Sequence, residues 1–561
     1  MQISDKKPFW RKAGFLLICI MLLGAGLRLY NLRQSPPGFN QDEAANAWNA
    51  WCLLKTGKDQ HGVSWPIFYA RSLGGNSSTL FIYAIIPFQA IGGLNIVTSR
   101  LPGAVGGIIT ILLIYYVGRR LFNEATGLWA ALLLTLNPWH LQQSRWGHEA
   151  SIGALLGLIA LAAMLWANMP ITNDKADSPR PIRAFFAGTI TGICCYGYHS
   201  LRIFVPVFLL AAGLVTIGGW WRQLKIRKGA IAIGAYILGI VLTFGPLAWQ
   251  HLFHPDGISR HSEFQKSLIE GQPILTGLRD VGLRYIQHFG PDFLFIHGDT
   301  FEIQRLPGSG EFQWYMLPLM IAGLCFAFWK FRGSYAARVL LVFILVYPVG
   351  DCLYTAHGMH ALRSSPGLCS LILLGAVGLV GSYKVLIKQS RLITAGVVIT
   401  FIAALVISNA GYLHRFYVDY NRQPETYNAY HADLVEACKW LKPVFYNNDT
   451  AAAMWSCSDM PMAYVVTLVC LNYDPQQWLN DTKKFNTFDE YDYYTNYGKM
   501  YFMYSSGAVR AVLDSLPQFN LQGDAIFIVR PGELPLENPV HVIRNPVGQV
   551  TLEIYRLKPR M

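Results

Sequence analysis

The stretch ARVLLVFILVYPVGDCLYTAHGMHALRSSPGLCSLILLGAVGLVGSYKVLIKQSR (337–391) decides the fold. Two apolar runs, 338–355 and 366–386, each match the ~20 residues that cross a bilayer core. A short turn carrying histidine and arginine joins them, and lysine and arginine flank their far ends. The same grammar repeats in both directions along the chain. It gives eleven predicted spans, near 13–31, 100–118, 127–143, 149–168, 184–200, 202–221, 230–250, 314–331, 338–355, 366–386 and 392–413. The expected fold class is a membrane all-α, polytopic helical bundle of about eleven spans, with outer juxtamembrane helices and a C-terminal soluble α/β domain.

Composition agrees. Hydrophobic residues make up 53% of the 561 and charged residues 14%, against about 25% charged in soluble domains. The net charge of +13 has a revealing distribution. Six short segments, 1–13, 118–126, 170–183, 222–229, 330–338 and 384–391, hold 19 Lys and Arg against 4 Asp and Glu. The rest of the chain holds 27 basic and 29 acidic residues. A basic excess confined to short loops reports membrane orientation and argues against a nucleic-acid partner. The expected topology has the N-terminus cytoplasmic, the tail extracytoplasmic and the first apolar helix uncleaved, in the cell (inner) membrane.

Residues 79–97 (TLFIYAIIPFQAIGGLNIV) are also apolar, but counting them as a span would invert every later loop. They are read as a helix lying at the outer interface, interrupted by Pro87 and the Gly92–Gly93 pair. Two domains are expected, 1–413 in the membrane and 414–561 outside. In the tail, AIFIVR (525–530) and HVIRN (541–545) read as strands, and YHADLVEACKWL (430–441) as an amphipathic helix. Cys194 and Cys195 read as small core hydrophobes. Cys438, Cys457 and Cys470 allow one disulfide whose pairing an odd count leaves open. Sequons stand at Asn76, Asn448 and Asn480.

The residues that bear chemistry gather on the outer side. GFNQDEAANAWNAW (38–51) carries the adjacent acids Asp42 and Glu43 about ten residues beyond the first span. Such a pair reads either as acids in the first turn of a helix or as a general base beside a helper that positions it. The company they keep is basic. Arg100 opens the second span; SRWGHEA (144–150) contributes Arg145, His148 and Glu149; YHSLR (198–202) contributes His199 and Arg202. HGDTFEIQR (297–305) brings Asp299 and Arg305, and AHGMHALR (356–363) brings His357, His360 and Arg363. Snorkelling and interface anchoring explain some of these. They do not explain why Arg and His recur on the side the positive-inside rule depletes. A shared anionic ligand does, and arginine suits phosphate. A carboxylate to take a proton and cations to stabilise a phosphate leaving group together suggest glycosyl transfer from a lipid-phosphate sugar.

The acidic pair after the first helix, SRLPGAVGG (99–107), GRRLF (118–122) and HALRS (360–364) resemble the GT-C glycosyltransferases. Within them the resemblance is to the protein O-mannosyltransferase and aminoarabinose-transferase (ArnT-like) branch, over roughly residues 15–415. The resemblance implies a polyprenyl-phosphate-linked sugar donor, transfer with inversion, Asp42 as catalytic base with Glu43 beside it, and Arg100 near the donor phosphate. It also implies an acceptor lipid, glycan or protein, with membrane lipids as surroundings and no nucleic acid. No cofactor is expected: a strict metal requirement is not a feature of that branch, no aspartate-rich motif is present, and a divalent metal is left open. The chain departs from the eukaryotic protein mannosyltransferases in lacking their repeated outer domain, which disfavours a protein acceptor. Two other readings stand: an oligosaccharyl transferase or glycan ligase using a lipid-diphosphate donor, and a transporter. Against the transporter, most spans are uncharged through their centres.

Overall fold

The computed structural model describes residues 9–73, 75–171, 180–253, 273–301, 304–353, 358–447, 450–456, 462–483, 485–488, 491–515 and 523–558. His357, Asn448 and Cys457 lie outside them. The chain divides into two compact units. The first comprises Met1–Tyr30, Gly103–Arg145 and Glu149–Arg415. The second comprises Asn31–Pro102, Trp146–His148 and Phe416–Met561.

A helix occupies each of the eleven predicted stretches. Among the described residues, six are long and apolar enough to cross a membrane: Ile96–Leu121, Glu149–Trp166, Arg227–Phe253, Tyr335–Cys352, Ala361–Leu386 and Arg391–Arg422. Leu201–Val215 and Ile217–Leu224, bent by 79°, add a seventh if they form one span. Some stretches read as continuous are broken. At 127–143 the helix Glu124–Leu136 stops at Asn137, whose side chain accepts from the His140 N–H and caps a new helix, Pro138–Gln143. At 338–355 the helix Tyr335–Val346 gives way to the short Val349–Cys352 just past Pro348. Helices Pro181–Cys194 and Arg227–Phe253 pack backbone to backbone, because Gly188 sits where a side chain would strike the Tyr236 carbonyl.

The apolar helix at 79–97 spans only Thr79–Gly92 and belongs to the second unit. Its 14 residues rise about 21 Å, short of the ~30 Å hydrocarbon core. A new helix begins at Ile96, with the Asn95 side chain accepting from the N–H groups of Val97 and Thr98.

The second unit is where the expected division of the chain needs amending. The tail boundary falls at 415/416, close to the expected 413/414, but the tail does not build its core alone. Phe39, Ala44, Trp48 and Cys52 from the first loop share one apolar cluster with Leu434, Trp455, Trp478 and Ile554. The reason lies in helix Gln41–Thr56, whose alanines let it be enclosed on almost every side from Glu43 to Ala50. Trp48 meets Trp478 edge-on at 6.1 Å, and the Trp478 indole donates to the Gln60 carbonyl.

In chain order the strands are β1 (Ala70–Ser72), β2 (Gly75–Ser77), β3 (Thr450–Ser456), β4 (Phe485–Phe488), β5 (Tyr491–Tyr494), β6 (Asn496–Tyr497), β7 (Met500–Met503), β8 (Asp524–Val529), β9 (His541–Arg544) and β10 (Val550–Leu557). β1 pairs with β2 and β4 with β5; the main sheet runs β6-β7-β3-β8-β10-β9. β3 lies parallel to both β7 and β8, and the other pairs are antiparallel. β8 and β9 match the expected strands. β8 is buried on both faces: Ile526 and Ile528 face one core, Ala525, Phe527 and Val529 the other. The expected amphipathic helix is Ala432–Phe445, whose Leu434, Ala437 and Leu441 join the first of those cores. The Cys438 thiol is hydrogen-bonded to Cys470, and burial pushes it above its usual range. Both are thiols here.

One backbone position joins loop and tail. Gly38 has φ +69°, and a Cβ there would run into the Tyr430 carbonyl oxygen and the Ala432 backbone. The next N–H, that of Phe39, donates to the same carbonyl at 2.5 Å. We expect Gly38→Ala to cost about 1–3 kcal/mol from backbone strain alone, measured as a lowered thermal midpoint of the detergent-solubilised protein.

Candidate active site

The acidic pair opens helix Gln41–Thr56. Asn40 is its cap: its Oδ1 accepts from the Asp42 N–H at 3.0 Å, and Glu43 Oε2 accepts from the Asn40 N–H at 3.2 Å, which completes a capping box. Glu43 then does more. Its Oε1 accepts from the Gly147 N–H at 2.7 Å. Its carboxylate takes the Arg100 guanidinium in a two-pronged contact, Nε to Oε1 and Nη2 to Oε2, both 2.9 Å. Arg100 spends its remaining N–H groups on the carbonyls of Leu32 (3.0 Å), Pro36 (2.8 Å) and Gly38 (3.1 Å). All five donors of the guanidinium therefore have an acceptor, and both side chains are fully enclosed.

Two expected roles meet this geometry differently. Arg100 is expected beside a donor phosphate, yet its five N–H groups are all taken within the protein. Glu43 is expected beside the base, orienting it or the nearby backbone, and it accepts four hydrogen bonds and is sealed from solvent. Together they clamp the first loop into shape. Asp42 differs: it is half-buried, and the cap that orders its backbone comes from Asn40.

In the same unit, His148 is buried and stacks on Trp146 at 4.7 Å, with Tyr430 edge-on to Trp146 at 6.3 Å. Burial, then neighbouring Tyr420, holds the Tyr430 phenol above its usual range.

Arg145 belongs to the first unit and is also fully enclosed. Its Nη1 donates to the carbonyls of Leu27 and Arg28, both at 2.9 Å, and so ties down the end of the first helix. That is a structural task rather than phosphate recognition. Glu149 is buried at the start of a 3-10 turn, Glu149–Ile152. Sequence reasoning passed over Arg28 and His140, whose side chains meet at 2.7 Å. The signal was there: an arginine directly after an apolar run, with no room to reach water.

A second constellation in the first unit gathers three of the predicted residues. Asp299 is enclosed; Oδ1 accepts from the Phe301 N–H at 2.8 Å and Oδ2 from the Ala361 N–H at 2.6 Å, with His360 Nδ1 at 3.3 Å. The His360 N–H donates to Asp351 Oδ2 at 2.7 Å, and the same oxygen lies 3.0 Å from His288 Nε2. Asp351 Oδ1 is 4.0 Å from Arg363 Nη1. Glu311 accepts from the Asp299 N–H at 3.0 Å; burial, then the Asp299 charge, push its carboxyl well above the usual range. Asp351, His288 and Glu311 were not anticipated. Asp351 sat inside a stretch read as a span, where only Pro348 marked the break.

The remaining predicted residues are not drawn into either group by the contacts described. His199 lies against the Tyr198 ring at 3.9 Å, Arg202 Nη1 is 3.5 Å from His251 Nδ1, and Arg305 is half-buried. Among the described residues, no three His, Cys, Asp or Glu side chains are placed to hold a metal ion.

Residues 76–249 match the family model described as dolichyl-phosphate-mannose-protein mannosyltransferase. No match is found among curated protein sequences. Among solved structures, the chain is similar to ArnT from Cupriavidus metallidurans bound to undecaprenyl phosphate. Identity there is 12%, over 96% of this chain and 97% of that one, with a TM-score of 0.52. It is also similar to the Archaeoglobus fulgidus oligosaccharyltransferase tethered with an acceptor peptide containing the NVT sequon, at 12% identity, 83% and 64% coverage and a TM-score of 0.50. The oligosaccharyltransferase AglB of Archaeoglobus fulgidus, in complex with an inhibitory peptide and a dolichol-phosphate, gives 12%, 82%, 64% and 0.51. These are GT-C superfamily glycosyltransferases, and the chain has their fold: mostly helical, multi-pass in a membrane, with a C-terminal sheet region. The resemblance drawn from the short motifs holds for that fold.

Proposed function

From the GT-C glycosyltransferase fold, we propose that this chain moves a sugar from a polyprenyl-phosphate donor to an acceptor at the outer face of the cell membrane, with inversion. The family match at 76–249 and the undecaprenyl phosphate bound to the similar ArnT support the donor class. The observation that carries the catalytic part is the division of labour in the acidic pair. Glu43 is locked to Arg100, while Asp42 stands half-buried at the head of the helix they pin.

The reaction asks for one base. An acceptor O–H attacks the anomeric carbon from the face opposite the phosphate. Asp42 takes the proton as the new C–O bond forms, and the old bond breaks to release the lipid phosphate. A cation stabilises the charge that develops there. Within the first unit, and on its own surroundings, Arg363, partly exposed beside Asp351, is the arginine we assign to lipid-phosphate binding. Arg363→Ala should weaken lipid-phosphate binding at least tenfold, since a hydrogen bond to a charged group contributes about 1.5–3 kcal/mol. Titration of the purified protein with undecaprenyl phosphate checks this; unchanged affinity removes Arg363 from the role.

The whole reading is tested by mass spectrometry of envelope glycans and lipids with and without the protein. Loss of one sugar modification supports it, and an unchanged profile counts against it. The oligosaccharyl reading, favoured by the similarity to the archaeal enzyme, predicts instead that only a diphosphate-linked donor is consumed. Orientation is part of the proposal. A cysteine placed at residue 225 should label from the cytoplasmic side only.

A further inference from the structure

The second unit carries a cavity of about 460 Å³ that none of the chemistry above uses. Part of its lining is one face of helix Ala432–Phe445, where Val435, Lys439 and Lys442 recur at three- and four-residue spacing. The two lysines and Arg33 make three exposed cations around one hollow. Among the described residues, no aspartate or glutamate lines it. The two acids nearest along that helix are engaged elsewhere: Asp433 is paired with Arg530 at 2.6 Å, and Glu436 is hydrogen-bonded to Tyr427.

The rest of the lining is mostly apolar, with Leu94, Ile96, Val97 and Val469 beside the Asn95 amide and the thiols of Cys438 and Cys470. Its place along the chain is telling. Ile96 begins a helix long and apolar enough to cross the membrane. Arg33 follows the end of the first apolar helix, Leu29, by four residues, a reach of at most about 14 Å. Two segments that line the hollow therefore run directly into apolar helices along the chain. A soluble anion would satisfy the cations but leave the apolar lining against water. A lipid satisfies both.

We propose that the cavity binds the phosphate headgroup of an anionic membrane phospholipid, with the first part of an acyl chain against Leu94, Val97 and Val469. This site is separate from the Asp42 helix and would anchor the tail of the chain to the bilayer surface.

The test uses the full-length protein in mild detergent under reducing conditions. Native mass spectrometry compares retention of phosphatidylglycerol with that of phosphatidylcholine carrying the same acyl chains. Preferential retention of phosphatidylglycerol is expected, weakened about thirtyfold in Lys439→Gln/Lys442→Gln, because each basic residue near an anionic surface contributes about a fivefold preference. Both lysines are exposed, so the variant keeps its fold, which circular dichroism verifies. A second readout is the half-buried thiol of Cys470, which lines the cavity. Phosphatidylglycerol should slow its alkylation, and phosphatidylcholine or inorganic phosphate should not. Equal retention of the two lipids, or unchanged retention in the double variant, overturns the proposal. Protection by inorganic phosphate alone overturns its lipid part and leaves a soluble-anion site.

Discussion

Asp42→Asn is expected to lower glycosyl transfer by about 10²–10⁴-fold, the usual contribution of a positioned proton acceptor, while donor binding and folding persist. The substitution removes the basicity of the carboxylate and keeps the size of the side chain. The helix start does not depend on it, because the cap is the Asn40 side chain and the reciprocal contact comes from Glu43. An acid whose only task was capping would tolerate asparagine, which is itself a good cap. Asp42→Glu, with its carboxylate displaced by one methylene, should fall between the two. Single-turnover transfer from a defined polyprenyl-phosphate sugar is the measurement. Near-normal transfer by Asp42→Asn would eliminate the catalytic assignment and leave the fold standing without a base.

The second large effect falls on stability. Arg100→Ala would leave the Glu43 carboxylate enclosed without its counter-charge and strip the donors from the Leu32, Pro36 and Gly38 carbonyls. Removing one partner of a buried ion pair costs about 3–5 kcal/mol, a large share of the ~5–15 kcal/mol that holds a folded protein together. The variant should melt far below the parent in detergent and become sensitive to protease within the first loop. Arg100→Lys should recover little, since a lysine has three donors where five are used. Removing both charges, as in Glu43→Gln/Arg100→Met, should cost less than the sum of the single changes. If Arg100→Ala instead melts normally and loses only donor affinity, the phosphate role returns to Arg100.

That reversal marks where sequence reading ran out. The apolar runs and the basic loops were legible, because each rests on neighbours in the chain, and every predicted span carries a helix. The helix at 432–445 and the strands β8 and β9 were legible for the same reason. The Glu43–Arg100 clamp was not. Its partners stand 57 residues apart, and three of the arginine's acceptors are backbone carbonyls, which no side-chain pattern reveals. Asp351 was hidden by the apolar residues around it, although Pro348 announced that the helix must break there. That β8 is covered on both faces was not legible, because the second core, built with Val509 and Tyr555, comes from other segments of the chain.

The second unit also imposes an order of events on synthesis. Its first segment ends at Pro102 and its last begins at Phe416. At ~5–20 residues per second, the ribosome adds the intervening residues over roughly tens of seconds. Throughout that interval helix Gln41–Thr56 exists without Leu434, Trp455 or Trp478, the residues that later enclose Trp48. A nascent chain halted before the tail therefore presents a tryptophan-bearing apolar surface that the finished protein conceals. The first loop is therefore enclosed only once the tail residues that cover Trp48 have been made.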